Sequence, residues 1–304
     1  VAARNVVRPR GHHRTPPPLL ELVMMGSSHA ATGLLAGAVL GAVAGSHPLD
    51  VVVCAAVGAG AALLPDLDEP GSTVGRSLGA ITRGASKVLR AASTRVYRST
   101  ATAYELRTTR SDGGHRYLTH TVPAVLVFGG VAWGVAVLGA LGLGVVVFAM
   151  AALGLACVVK PFGRKAVQGA GVAAALIAGG AVVVASTAPW LVAVVVSVGA
   201  LTHVLGDWLT RSGVPLAWPL AHRGKRWWMF RSPVAFVTGQ SPVEAAIRWV
   251  CLVGAPVVGV LSVAGLVRTG KPPPEGGALR DRGHSPVFPT PASLTAAPRL
   301  RCRP

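Results

Sequence analysis

Residues 201–208 read Leu-Thr-His-Val-Leu-Gly-Asp-Trp, and residues 209–220 continue Leu-Thr-Arg-Ser-Gly-Val-Pro-Leu-Ala-Trp-Pro-Leu. They close an apolar run that begins near Trp190. Two ionisable groups interrupt the run, His203 and Asp207. On a helix their spacing stacks both side chains on one face, about one turn from each other. Gly206 keeps the surface beside them small, and Gly213-Val214-Pro215 is where the helix is expected to end. The pair reads in two ways: a buried hydrogen-bonded couple serving packing, or half of a metal site whose other ligands arrive from elsewhere. Ionisable groups inside an apolar span are costly and favour a functional reading. The arrival of further ligand-type residues at the same depth decides between them.

Composition gives that run its setting. Of 304 residues, 51% are hydrophobic and only 13% charged, with mean hydropathy +0.54. Soluble domains carry roughly 25% charged residues. The chain therefore reads as an all-α, polytopic membrane bundle. Gly, Ala and Val fill the apolar runs, and small residues let membrane helices approach closely. The net charge of +18 falls mostly between the runs, as cytoplasmic segments require under the positive-inside rule. Membrane lipids with anionic headgroups are thus the expected partners, and no specific nucleic-acid binding is expected. Cys54, Cys157 and Cys251 sit in apolar runs and Cys302 in the tail, without the paired spacing of a disulfide framework or thiolate site.

Three regions follow along the chain. Residues 1–24 lack periodicity and are expected to be disordered, the organised chain starting at Met24 or Met25. Residues 25–268 form the membrane-embedded unit, and 269–304 a disordered Pro-rich tail. Apolar runs over 30–45 and 51–64 fall short of the roughly 20 residues of a span; they read as a tight, tilted or re-entrant hairpin. Residues 73–112 are basic, with Leu78, Ile81, Ala85, Val88, Leu89, Ala92 and Val96 at helical spacing, which predicts an amphipathic cytoplasmic helix at the membrane surface. The tract 122–159 fits two spans with a turn near Leu141-Gly142, and two more follow to 185 and 208. That makes six spans with a cytoplasmic N-terminus; residues 247–267 supply a candidate seventh, which would place the basic tail outside.

This topology brings ligand-type residues to one membrane face. His29 begins the first span, and Asp66 and Asp68 end the second. His115 and His120 enter the third, and His203 and Asp207 leave the sixth. All seven are candidate ligands. Imidazoles and carboxylates together suit a divalent metal, zinc ahead of manganese or iron, which turns bound water into a nucleophile near neutral pH. Asp68, Arg116 and Asp207 are the candidate catalytic residues: a carboxylate outside the ligand set as general base, Arg116 as neutraliser of a phosphate oxygen. The structural alternatives differ by residue. Asp66 and Asp68 after Pro65 suit a turn, Thr119 suits a helix cap, and His120 an interfacial polar position. His47, His222 and His284 read as surface histidines. No phosphate-binding loop, Gly-x-Ser-x-Gly or HExxH motif occurs.

Four blocks in this order resemble the YdjM-like family of inner-membrane-associated, predicted metal-dependent hydrolases. They are His29 with its Gly/Ala-rich span, Leu63-Leu64-Pro65-Asp66-Leu67-Asp68, Gly114-His115-Arg116-Tyr117-Leu118-Thr119-His120-Thr121, and Thr202-His203-Val204-Leu205-Gly206-Asp207 through Pro219. The resemblance implies a multi-pass membrane hydrolase distantly related to zinc phospholipase C and its nuclease relatives. In the family pattern a His follows the Asp-x-Asp pair; here Glu69 stands there, which bears on metal identity or number. The expected function is a plasma-membrane hydrolase, its His/Asp metal site facing the cytoplasm, with a phosphoester or lipid as substrate. The alternative is a transporter or metal-ion permease built on the same cluster. Inverted repeats and mid-bilayer ligands would favour that alternative.

Overall fold

The computed structural model describes residues 19–267, except 78, 185–186 and 236–240, with backbone alone over 19–25. The regular elements among them are all helical: α1 (Leu19–Ala44), α2 (Pro48–Ala61), α3 (Ala80–Thr100), α4 (Ala103–Thr108), α5 (Val122–Ala136), α6 (Ala140–Val159), α7 (Arg164–Val184), α8 (Pro189–Trp208) and α9 (Pro242–Val263). Six segments are long and apolar enough to cross a membrane: Gly26–Ala44, Pro48–Asp68, Ala140–Phe162, Arg164–Val184, Pro189–Trp208 and Pro242–Val263. The chain is a polytopic helical bundle.

Several boundaries differ from the sequence expectations. The backbone of α1 is helical from Leu19, inside the segment expected to be unstructured, while residues 1–18 and 268–304 lie outside the described residues. From Gly26 to Ala44 α1 offers 19 residues, long and apolar enough to span, more than the run expected from sequence. The tract 122–159 breaks at residues 137–139, where Gly139 takes φ 103°, slightly before the expected turn. That leaves α5 only 15 residues long, whereas α9, expected as an optional seventh span, is one of the six of full length. α8 stops at Trp208, ahead of Gly213. Beyond it Val214 pairs with Phe230 in an isolated antiparallel bridge.

The bundle is built round α1 and α2, and its apolar core gathers Val53, Val57, Val147, Val192, Val195 and Val196. Gly33, Gly37 and Gly41 repeat every fourth residue, so they form one ridge of α1. A methyl group on Gly33 or Gly37 would strike the carbonyls of Gly58 and Cys54 on α2, and one on Gly41 would lie 2.6 Å from that of Asp50. Small-residue ridges permit this approach where lipid offers no hydrophobic drive to helix association.

At the end of the bundle where α2 begins, fully buried Asp50 accepts from the backbone N–H of Ser46 at 2.8 Å and of His47 at 2.9 Å. The Thr187 hydroxyl donates to its other oxygen at 2.6 Å, tying the turn before α8 to α2. Asp50→Ala removes both the cap and this tie. It is expected to cost about 1–2 kcal/mol, read as a lowered unfolding midpoint in detergent. An unchanged midpoint would show that the tie contributes nothing.

The turns at that end, residues 45–47, 137–139 and 187–188, contain no Lys or Arg, and the basic loops occupy the other end. There lies α3, amphipathic as expected, but its inward face is the polar one. Thr82, Ser86, Ser93 and Tyr97 are buried, while Ile81 and Val88 are 75% and 69% exposed. Ser93 donates to the Gly113 carbonyl at 2.7 Å, so the helix anchors a polar loop and presents its apolar residues outward. Tyr97, Tyr117 and Trp227 pack together beside it. Buried Glu105 accepts from the Trp227 N–H at 2.6 Å.

Candidate metal centre

All seven sequence-predicted ligands meet at the basic end. α1 supplies His29 near its start, and α8 supplies His203 and Asp207 near its finish. After α2 a single tight turn, Pro65–Asp68, carries Asp66 and Asp68. The loop before α5 carries His115, Arg116 and His120, a second short turn over Leu118–His120 setting His120 inward.

The tautomers follow from the hydrogen bonds. His203 Nδ1 lies 2.8 Å from the Ala62 carbonyl, an orphan acceptor where α2 ends. A carbonyl only accepts, so Nδ1 carries the proton, and in the neutral ring Nε2 keeps its lone pair. The Thr119 hydroxyl donates to Asp68 Oδ2 at 2.6 Å. Its oxygen therefore accepts from His120 Nδ1, 3.0 Å away, and His120 Nε2 is likewise left bare. Burial pushes the His120 imidazole below the ordinary histidine value, against the opposing pull of Asp207, which keeps it neutral at pH 7 and able to ligate.

These bare nitrogens face acceptors. His120 Nε2 is 3.3 Å from Asp207 Oδ2 and 3.8 Å from Asp66 Oδ1. His203 Nε2 is 3.6 Å and 3.5 Å from the same two oxygens. His29 Nε2 stands 3.6 Å from Asp207 Oδ1, its ring stacked on His203 at 3.9 Å. Gly206 makes room for that stack, since a methyl group there would lie 2.9 Å from His29 Cε1. Both Nε2 atoms and both Asp207 oxygens are buried without a hydrogen-bond partner. Arg116 Nη2 lies 3.1 Å from Asp207 Oδ1, an ion pair without hydrogen-bond alignment.

With neutral rings, lone pairs face carboxylate lone pairs across the buried site, an arrangement that a cation between them would satisfy. Ligands about 2.1 Å from a tetrahedral ion stand roughly 3.4 Å apart, and the 3.3–3.8 Å separations match. Two triads have ligand atoms mutually within 4.8 Å: His29, His203 and Asp207, and Asp66, His120 and His203. His203 belongs to both, and its one lone pair can serve one ion.

Asp68 and His115 fall outside these triads. Asp68, fully buried, spends one oxygen on Thr119 and the other on His115 Nδ1 at 2.7 Å. Burial opposes the His115 imidazolium, but the hydrogen bond and charge of Asp68 outweigh it and lift His115 above the ordinary histidine value. This pair supports the ligands through Thr119, as outer-shell partners do. Thr119 is thus no helix cap; Thr121 caps α5 instead, accepting from the Ala124 N–H. Glu69, which follows the Asp-x-Asp pair, pairs with Arg90 at 2.7 Å and joins neither triad. His222 packs against Trp228 and Phe230, His47 caps α2, and His284 lies outside the described residues.

Arg116 holds φ 64°, a left-handed conformation uncommon for a side chain this large. Hydrogen bonding to Thr210 Oγ1 at 3.1 Å and the Asp207 ion pair fix it there. Strain of this kind gathers at functional sites. A cavity of about 390 Å³ opens onto the cluster, with His29, Asp66, His115, Arg116 and Asp207 in its walls.

The protein-family model of the YdjM inner membrane protein matches residues 24–269. No curated protein and no solved structure matches the chain.

Proposed function

The chain belongs to the YdjM inner membrane protein family, and from that membership and the pocket we propose that it is a membrane-embedded, metal-dependent hydrolase. The observation that carries this reading is the meeting of His120 Nε2, His203 Nε2 and both Asp207 oxygens, all buried and unpartnered. His29, Asp66, His120, His203 and Asp207 would hold a divalent ion, zinc first by its nitrogen and carboxylate donors. When bound, such an ion supplies Lewis acidity and a hydroxide nucleophile near neutral pH.

The chain's own groups do the rest. Asp68 orients His115 and, through Thr119, His120. His115 reaches the cavity and is placed to move a proton as the leaving group departs. Arg116 offers its charge to an anionic oxygen of a phosphoester, in competition with Asp207. The basic end is assigned to the cytoplasm by the positive-inside rule, which places the N-terminal end of α1 there too.

A permease built on the same residues is the rival. Its ligands would be expected at helix breaks near the middle of the bundle, whereas His29 lies just inside the apolar span that opens at Gly26, and Asp66, His203 and Asp207 lie where α2 and α8 finish. In the zinc-loaded protein, Arg116→Ala is expected to lower hydrolysis of a chromogenic phosphoester about 100-fold. Metal content should be retained and Arg116→Lys should recover part of the rate. Equal turnover in Arg116→Ala would remove Arg116 from the chemistry. Zinc transport into proteoliposomes with no hydrolysis would replace the hydrolase reading with the permease.

A further inference from the structure

A second cavity, of about 570 Å³, adjoins the metal cavity. Leu64 and Leu67 wall it from the segment after α2, and Phe148 and Leu153 from α6. Thr73, Val74 and Arg76 belong to the walls of both cavities. Two exposed cations, Arg76 and Lys160, stand in its lining. Neither enters an ion pair among the described residues.

Resting on the hydrolase reading, we propose that the substrate is a lipid phosphate whose hydrocarbon chain lies in this apolar groove. Its phosphate is received by Arg76 and Lys160 and directed towards Arg116. Three observations select a lipid. α6 crosses the membrane, so a chain from the bilayer reaches the groove without passing through water. The two cations sit at the basic end, at the depth of lipid headgroups, and match a phosphate in charge. The walls shared with the metal cavity set the groove directly beside the ligand cluster. A soluble phosphoester uses the cluster but has no use for the apolar groove.

Binding, rather than turnover, separates this inference from the reading beneath it. Zinc-loaded full-length protein in detergent is titrated with dioleoyl phosphatidic acid, dioleoylglycerol, glycerol 3-phosphate and inorganic phosphate, with bound ligand read by native mass spectrometry. The long-chain phosphatidic acid is expected to bind at least about tenfold more tightly than any of the other three, since each buried methylene adds to affinity. Ala152→Trp, which fills the groove, should weaken phosphatidic acid about tenfold and leave glycerol 3-phosphate unchanged. Arg76→Ala/Lys160→Ala, at exposed positions, should weaken phosphatidic acid but not dioleoylglycerol. Glycerol 3-phosphate or inorganic phosphate binding as tightly as the lipid would overturn the proposal, as would a lipid affinity unmoved by both variants. If phosphoester hydrolysis and zinc content persist in that event, only the lipid assignment falls; absence of zinc from the unmodified protein would sink the hydrolase reading itself.

Discussion

On the hydrolase reading the unmodified protein is expected to purify with stoichiometric zinc, and the His203→Ala/Asp207→Ala variant without it. His203 is common to both triads and Asp207 reaches three of the imidazoles, so the pair cannot be replaced from the remaining set. Loss of Asp207 also leaves Arg116 without its ion-pair partner, a cost to the fold that helical content reports separately from metal content. Elemental analysis, with helical content followed in parallel, makes the measurement. Full zinc retention in a folded double variant would remove these residues from the ligand set and with them the hydrolase.

The second large effect belongs to packing. Gly37→Leu puts a side chain where even one added carbon would collide with the Cys54 backbone carbonyl. Backbone cannot yield as a flexible side chain does, so α1 must part from α2. Overpacking costs typically 1–3 kcal/mol, and here the whole ridge from Gly33 to Gly41 is disturbed. The expected result is a sharply lowered yield of monodisperse protein and an early unfolding midpoint. Gly84→Leu on α3, where an added carbon meets nothing within 4 Å, serves as control. Equal behaviour of the two would dismiss the ridge as the basis of the α1–α2 contact.

Much of the site could be read from the chain because its chemistry is local in sequence. His203 and Asp207 declare themselves by falling one helical turn apart in an apolar run. The Pro-Asp-Leu-Asp turn and the His115 to His120 segment stand where charge ends and hydrocarbon begins. What escaped the reading depends on partners distant in sequence. The role of Thr119 rests on Asp68, and the tautomer of His203 on a backbone carbonyl at Ala62. Nothing in the sequence singled out Asp50, and only Thr187 beside it reveals a tie between helices. Hydrophobic pattern marked α3 as amphipathic but not which residues it buries, since its partners are polar loops rather than core. The glycine ridge was present in the spacing of residues 33, 37 and 41 and needed only a count by fours. The break in the 122–159 tract was legible in its glycines, though it falls at residues 137–139, slightly before the expected turn, and leaves α5 short.

The order in which the ligands leave the ribosome gives the pocket a further property. Asp66 follows His29 within one hairpin, yet His203 and Asp207 emerge only with α8, near the close of the membrane unit. A chain stalled or cleaved before that helix holds neither triad. In the proposed hydrolase, capture of an ion would therefore report that synthesis and insertion have run through α8, and an incomplete polypeptide would be inert.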